Sequence, residues 1–295
     1  MLRGVVTNPT VTDVPGRCHD ARVDTVEVVG EAEAVTAERE TVEPEIAAPA
    51  VPADRRVIPP VSEVEAELDA VDWQGLQGAF GPADAFPALV RAVVGPEGPE
   101  RDEALDLLWQ VVNHDGALYE ASLPALRVLA AVVRDEGLAE EVRSGVALLL
   151  LTMGAAHLPG EPAEQVDLQL EVLLAAQELL PGLDAAFLGG PRTLQVALLA
   201  VQAVTGEATS FAGRAAIARL IASDDPLLAA IASLAFDLVS GAVPARGAVH
   251  RPGVLDEDIR ELIEDYADLT DVTLAGMVVS ETAFALVDRM LTAEE

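Results

Sequence analysis

The feature that most limits what this chain can become is the rhythm of its apolar residues. From residue 62 onward they recur three and four apart, in stretches closed by glycine or proline. Leu123, Leu126, Leu129, Ala130 and Val133 fall on one helical face. So do Leu138, Val142, Val146, Leu149, Leu150 and Met153, and later Ile259, Leu262, Ile263 and Tyr266. A helix with one such stripe cannot bury it alone, so successive helices must stack on one another.

The stops and starts set the period. Gly81-Pro82, Gly98-Pro99 and Pro181-Gly182 break a helix, because proline lacks the amide hydrogen and glycine favours the left-handed cap. Ser62 and Glu65 have capping-box spacing. Asp225-Pro226 reads as an N-cap followed by proline at the first helical position. Helices are therefore expected to start near residues 63, 83, 100, 118, 138, 163, 191, 211, 226, 256 and 273. The interval is about 17 to 25 residues per helix, or about 35 to 48 per hairpin, within the range of helical solenoids. The expected fold is all-α, a right-handed α-solenoid of about five hairpins over 62–295. The segment 241–253 holds Pro244, Pro252 and three glycines and reads as a long loop, dividing the array from a C-terminal cap at 254–295.

Composition agrees with helix on helix. The sequence is 51% apolar but only 3% aromatic, so the core must be built from Ala, Leu and Val. Strands favour aromatic and β-branched residues in alternation, and no clean alternating run follows residue 62. Residues 1–61 differ. They hold Pro9, Pro15, Pro44, Pro49, Pro52, Pro59 and Pro60, and an acidic run at 31–45. Such a segment buries too little surface to offset the entropy of ordering, so it is expected to be a disordered acidic tail. Within it, 23–29 (VDTVEVV) alternates and would suit a single strand, which is unstable without a partner. A docking tail and an overextended reading frame both fit.

The formal net charge is −32, and all 18 basic residues are Arg. Nucleic acid requires a basic footprint, and an anionic membrane surface would repel this chain. A basic protein partner suits it, and so does simple solubility. The one cysteine, Cys18, cannot form a disulfide within a monomer, which points to a reducing compartment. The N-terminus shows no charged start followed by an apolar run. Segment 146–153 is too short to span a bilayer, and 227–243 is interrupted by Asp237. A cytoplasmic location is the expectation.

Chemistry-bearing patterns are sparse. His19, His157 and His250 are scattered, and Cys18-His19 alone is not a zinc site. Neither a nucleophile elbow, a phosphate-cradling loop nor H-E-x-x-H occurs, and Gly189-Gly190-Pro191 reads as a turn before a helix. Catalytic, cofactor and metal residues are therefore not expected. Two polar clusters stand out. In Asn113-His114-Asp115-Gly116 with Tyr119, His114 and Asp115 suit an acid–base pair. Equally, Gly116 suits a left-handed cap, His114 the last turn of a helix, and Tyr119 a buried ring. The second cluster, 256–271, carries the like-charge pairs Glu257/Glu261 and Glu261/Asp265, which a solvated helix face bears easily. Its sharper reading makes Glu257, Glu261, Glu264 and Asp268 a docking face for a basic partner. Trp73, Trp109 and Tyr119 suit binding anchors if exposed and core residues if not.

Trp73, Leu76, Phe80-Gly81, Ala83, Pro87, Leu89 and Arg91, followed by His114, Gly116, Tyr119, Ala121, Ala125 and Leu126, form a longer pattern. It resembles the bacterial HEAT-repeat proteins common in actinomycetes, with their W-x-x-L…(Y/F)-G-x-A…P-x-L-x-R segment followed by H-Q-G-x-x-Y-x-A-(S/T). The likeness covers about 60 residues in detail and the rest by helical rhythm. Asp115 stands where that family has Gln, and Arg127 where it has Pro. The resemblance implies an α-solenoid scaffold that binds proteins without catalysis. One alternative comes with it, a HEAT-like bilin lyase or chaperone-type protein; another, of a different class, is an acidic neutralising (immunity-type) partner of a basic effector.

Overall fold

The computed structural model describes residues 62–114, 117–155, 163–206 and 210–293. The chain divides into two units, Met1–Val57 and Ile58–Glu295. The acidic tail, the 23–29 segment, Cys18, His19 and His157 lie outside the described residues. The described residues are mostly α-helical, and their strands form two antiparallel two-residue pairs.

Helix α1 (Glu63–Asp69) starts where the cap was read, and the Ser62 hydroxyl accepts the Glu65 amide at 3.2 Å. The reciprocal half of the capping box does not form. Both Glu65 carboxylate oxygens go instead to Arg91 of α2 (Phe86–Val93), at 2.8–3.1 Å. A charge-assisted bond to guanidinium outbids one to a backbone amide. Arg91 also holds the Glu65 carboxyl below the usual carboxylate range. Trp73 is core, as one of its two readings had it. Its ring stacks on Phe86 at 4.2 Å, and its indole N–H donates to the Leu68 carbonyl at 2.9 Å. The expected start at 83 opens a 3-10 turn, Ala83–Ala85, before α2 proper.

Helices α3 (Pro99–Val112), α4 (Ser122–Arg134) and α5 (Glu140–Ala155) bury the stripes read from the sequence, including Leu126, Leu129, Val146 and Leu149. Helix α6 (Ala163–Leu179) ends just before Pro181-Gly182, as read; the chain then tightens into a 3-10 turn, Leu180–Leu183, and opens a further helix that was not read, α7 (Asp184–Gly189). Proline early in a new turn gives up an amide that has no partner there anyway. At Gly190 a Cβ would lie 2.3 Å from the Ala186 carbonyl, so only glycine turns the chain this closely into α8 (Arg192–Thr205). Helices α9 (Phe211–Leu220) and α10 (Pro226–Val239) begin as read. The Asp225 carboxylate accepts the amides of Leu227 and Leu228 at 2.9 and 3.1 Å. The segment expected to be a long loop holds two short helices, α11 (Arg246–Val249) and α12 (Arg251–Leu255), with Pro252 in the first turn of the second. Helices α13 (Glu257–Asp265) and α14 (Asp271–Thr292) follow.

Helix α8 is the hub. It packs on α5, α10 and α14, and the run Val196 to Ala203 is buried on every side. A helix apolar all round is stable only inside a protein. Its polar groups are satisfied: the Ser144 hydroxyl of α5 donates to the Thr193 hydroxyl at 3.0 Å, which donates in turn to Glu140. Residues 254–295, set apart above as a cap, supply a core helix. Leu274, Ala275, Val278, Ala283 and Leu286 seat α14 across α8, α10 and α5. Near its end Arg289 reaches the Asp225 carboxylate at 2.6 Å, joining α14 to the cap of α10.

Candidate functional site

Two small hairpins shape one end of α3. Gln77–Gly78 (β1) pairs with Gly81–Pro82 (β2), and Asn113–His114 (β3) pairs with Ala117–Leu118 (β4). Gly81 has φ +120°, a conformation only glycine adopts without strain. The hairpins are stitched together. The Ala79 amide donates to the Val111 carbonyl at 3.3 Å, and the Ala121 amide to the Gln77 carbonyl at 3.0 Å. Beneath them the buried Ser122 hydroxyl donates to the Val112 carbonyl at 2.6 Å and accepts the Tyr119 amide at 2.8 Å.

This corrects two expectations. Helix α3 ends at Val112, so His114 is a strand residue rather than part of a last helical turn, and α4 begins at Ser122 rather than near 118. The physical reason is non-local: backbone groups at 111–122 find partners in the first hairpin and in Ser122 instead of continuing the helix. Asp115 and Gly116 lie outside the described residues. Tyr119 is partly buried, and its backbone makes the contacts to Ser122. Phe80, largely exposed, tilts over the His114 ring with centroids 5.0 Å apart.

From His114 a groove of about 810 Å³ runs between α3, α5 and α14. Its floor is an aromatic pair, Trp109 of α3 and Phe284 of α14, with ring centroids 5.7 Å apart at 59°. Gly145 of α5 lets α3 approach, since a Cβ there would stand 3.1 Å from Leu105. Asp106 of α3 and Asp288 of α14, both exposed, line it, as do Asn113 and His114. Glu281 lies two turns before Asp288 on α14. Much of that residue reaches solvent, yet partial burial of its carboxyl pushes the pKa up. The groove thus offers aromatic, apolar area together with carboxylates. That geometry suits an apolar side chain flanked by cations.

The acidic cluster of 256–271 lies elsewhere. Glu257, Glu261 and Glu264 are exposed on α13, and Asp268 is exposed in the segment after it. Arg260 sits between, 2.5 Å from Glu257 and 3.5 Å from Glu264, so part of this charge is neutralised within the helix. Asp256 is occupied as the N-cap, accepting the Asp258 and Ile259 amides. A separate depression of about 590 Å³, beside Glu257, Arg260 and Glu264, borders this face. The structure therefore joins His114 to Trp109 and Phe284, and leaves the α13 carboxylates on their own surface.

Sequence reasoning missed Phe284, Asp288, Asp106 and Ser122. Only Ser122 left a local signal, a lone hydroxyl opening a helix whose other polar residues are two arginines. Among the described residues no three His, Cys, Asp or Glu side chains are grouped to hold a metal ion. One helical stretch among them, Val166–Gly189, is long and apolar enough to cross a membrane. No protein-family model, curated protein or solved structure matches this chain.

Proposed function

We propose that this protein is a non-catalytic interaction scaffold of the HEAT-like kind, and that its α3–α5–α14 groove binds a basic segment of another protein. The groove carries the reading: the Trp109–Phe284 pair supplies area for an apolar anchor, and Asp106 and Asp288 flank it to receive Arg or Lys. The charge of −32 adds long-range attraction for a basic partner. The right-handed solenoid belongs to the same proposal. Packing between neighbours in chain order, α2 on α3, α4 on α5 and α9 on α10, supports it. The packing of α8 on α5 and of α14 on α8 and α5, out of chain order, departs from an array in which each hairpin touches only its neighbours. The exposed α13 carboxylates extend the acidic surface as a second, weaker contact.

The test is affinity capture from the native cell with the full chain, its Asp106→Asn/Asp288→Asn variant and its Glu261→Gln/Asp268→Asn variant. A basic protein should be retained by the wild type, be released by rising salt, and be lost with the groove variant while the α13 variant still holds it. Equal capture by the wild type and groove variant, with unchanged circular dichroism, would refute the groove as the site.

A further inference from the structure

Helix α6 has two faces that differ in what they meet. Gln169, Val172 and Ala176 point inward, where α6 packs on α4 and α5. On the outer side Val166, Leu170 and Leu174 are 51, 53 and 51% exposed. Their spacing of four puts them in one stripe, about 12 Å long at the helical rise. Beside this stripe, about a quarter turn round the helix, Asp167, Glu171 and Glu178 form an exposed acidic rail. The stripe lies outside the protein's core, and polar residues would serve a purely solvated face better. Three large apolar residues at this spacing are how one helix presents itself to another.

Charge decides among the occupants. In a second copy packed antiparallel, two-fold symmetry would set both acidic rails along the same edge, and each copy carries −32. An anionic lipid surface would meet the same three carboxylates. A helix with its own apolar stripe and Arg or Lys on one flank matches both features. We infer that the outer face of α6 is a docking surface for a basic amphipathic helix of a partner protein, separate from the α3–α5–α14 groove.

The test uses the full chain and a fluorescent synthetic helix with leucines at i, i+4 and i+8 and arginines on one flank. Its counterpart with glutamates on the flank is the control, and anisotropy is read at physiological salt. Leu170→Ser/Leu174→Ser keeps every charge, and Asp167→Asn/Glu171→Gln keeps every apolar contact. Because all four side chains are exposed, both variants should keep the wild-type melting temperature. Each is expected to weaken the arginine helix at least about tenfold, while the glutamate helix fails to bind. Wild-type affinity in the Leu170→Ser/Leu174→Ser variant would overturn the proposal, because bulk charge alone would then explain the binding. So would concentration-dependent dimerisation abolished by that variant, or capture by vesicles of phosphatidylcholine and phosphatidylglycerol.

Discussion

Helices α6 and α8 are both rich in Leu, Val and Ala, yet they occupy opposite places. Helix α8 is enclosed by α5, α10 and α14, with every side buried along its middle. Helix α6 covers α4 and α5 with one face and turns Val166, Leu170 and Leu174 to solvent. Their polar groups differ in the same way. Thr193 of α8 sits in a chain of hydroxyl and carboxylate bonds, whereas the buried Gln169 Nε2 of α6 has no hydrogen-bond partner among the described residues. Apolar content alone does not say whether a helix belongs to the core or to an interface. What separates the two is whether the whole circumference is apolar or only part of it, with a charged rail along the remainder.

The comparison breaks first on leucine. Leu199→Ala in α8 should cost about 2–5 kcal/mol, because the enclosed site cannot collapse around the lost side chain. The same change at Leu170 should stay within about 0.5 kcal/mol. Urea unfolding of the two variants gives the ratio, and equal losses would mean that α6 is seated as firmly as α8. Next in size is Thr193→Val, which strands Ser144 and Glu140 and should cost about 1–3 kcal/mol in the same measurement. Gln169→Leu should run the other way. Replacing an unpaired buried amide with an apolar side chain of similar size should raise stability by about 1 kcal/mol, seen as a higher melting temperature.

The smallest effect concerns pH. Partial burial raises the Glu281 pKa in the folded state, so its ionised form opposes folding. That penalty is full above the folded pKa and vanishes below the unfolded one, near the ordinary carboxylate range. Glu281→Gln should therefore stabilise the protein at neutral pH by only about a few tenths of a kcal/mol, given its solvent contact, and the gain should fade on acidification. Glu65 has the opposite sign. Its lowered pKa contributes stability above the unfolded value, which is lost as pH falls through the folded one. A melting-temperature series from neutral to acid pH on wild type, Glu281→Gln and Glu65→Gln separates the two.

Much of this architecture was legible because it is local. Starts at 63, 163, 211 and 226 follow from caps and apolar period and match the observed helices. The hairpins were not legible, because the carbonyls at the end of α3 are bonded by Ala79 and Ser122, and Gln77 bonds the Ala121 amide beyond the second hairpin. The two short helices at 246–255 were hidden by their own prolines and glycines, which suit first turns as well as loops. For the candidate site the contrast is sharper. His114 was singled out, but its neighbours Trp109 and Phe284 come from helices far apart in sequence, and nothing local pairs them. The α13 carboxylates were read as exposed, and they are. The neutralising reach of Arg260, three and four residues from Glu257 and Glu264, was present in the spacing and went unread.

The late position of α14 has a consequence for how the chain is made. Residues 271–292 fill the seat formed by α5, α8 and α10 and latch onto Asp225. A ribosome that has released everything through Thr270 holds a polypeptide whose central helix still lacks one wall. Until residues 271–292 emerge, that vacancy is a greasy opening on a nascent protein, the kind of surface that recruits holding chaperones or seeds aggregates.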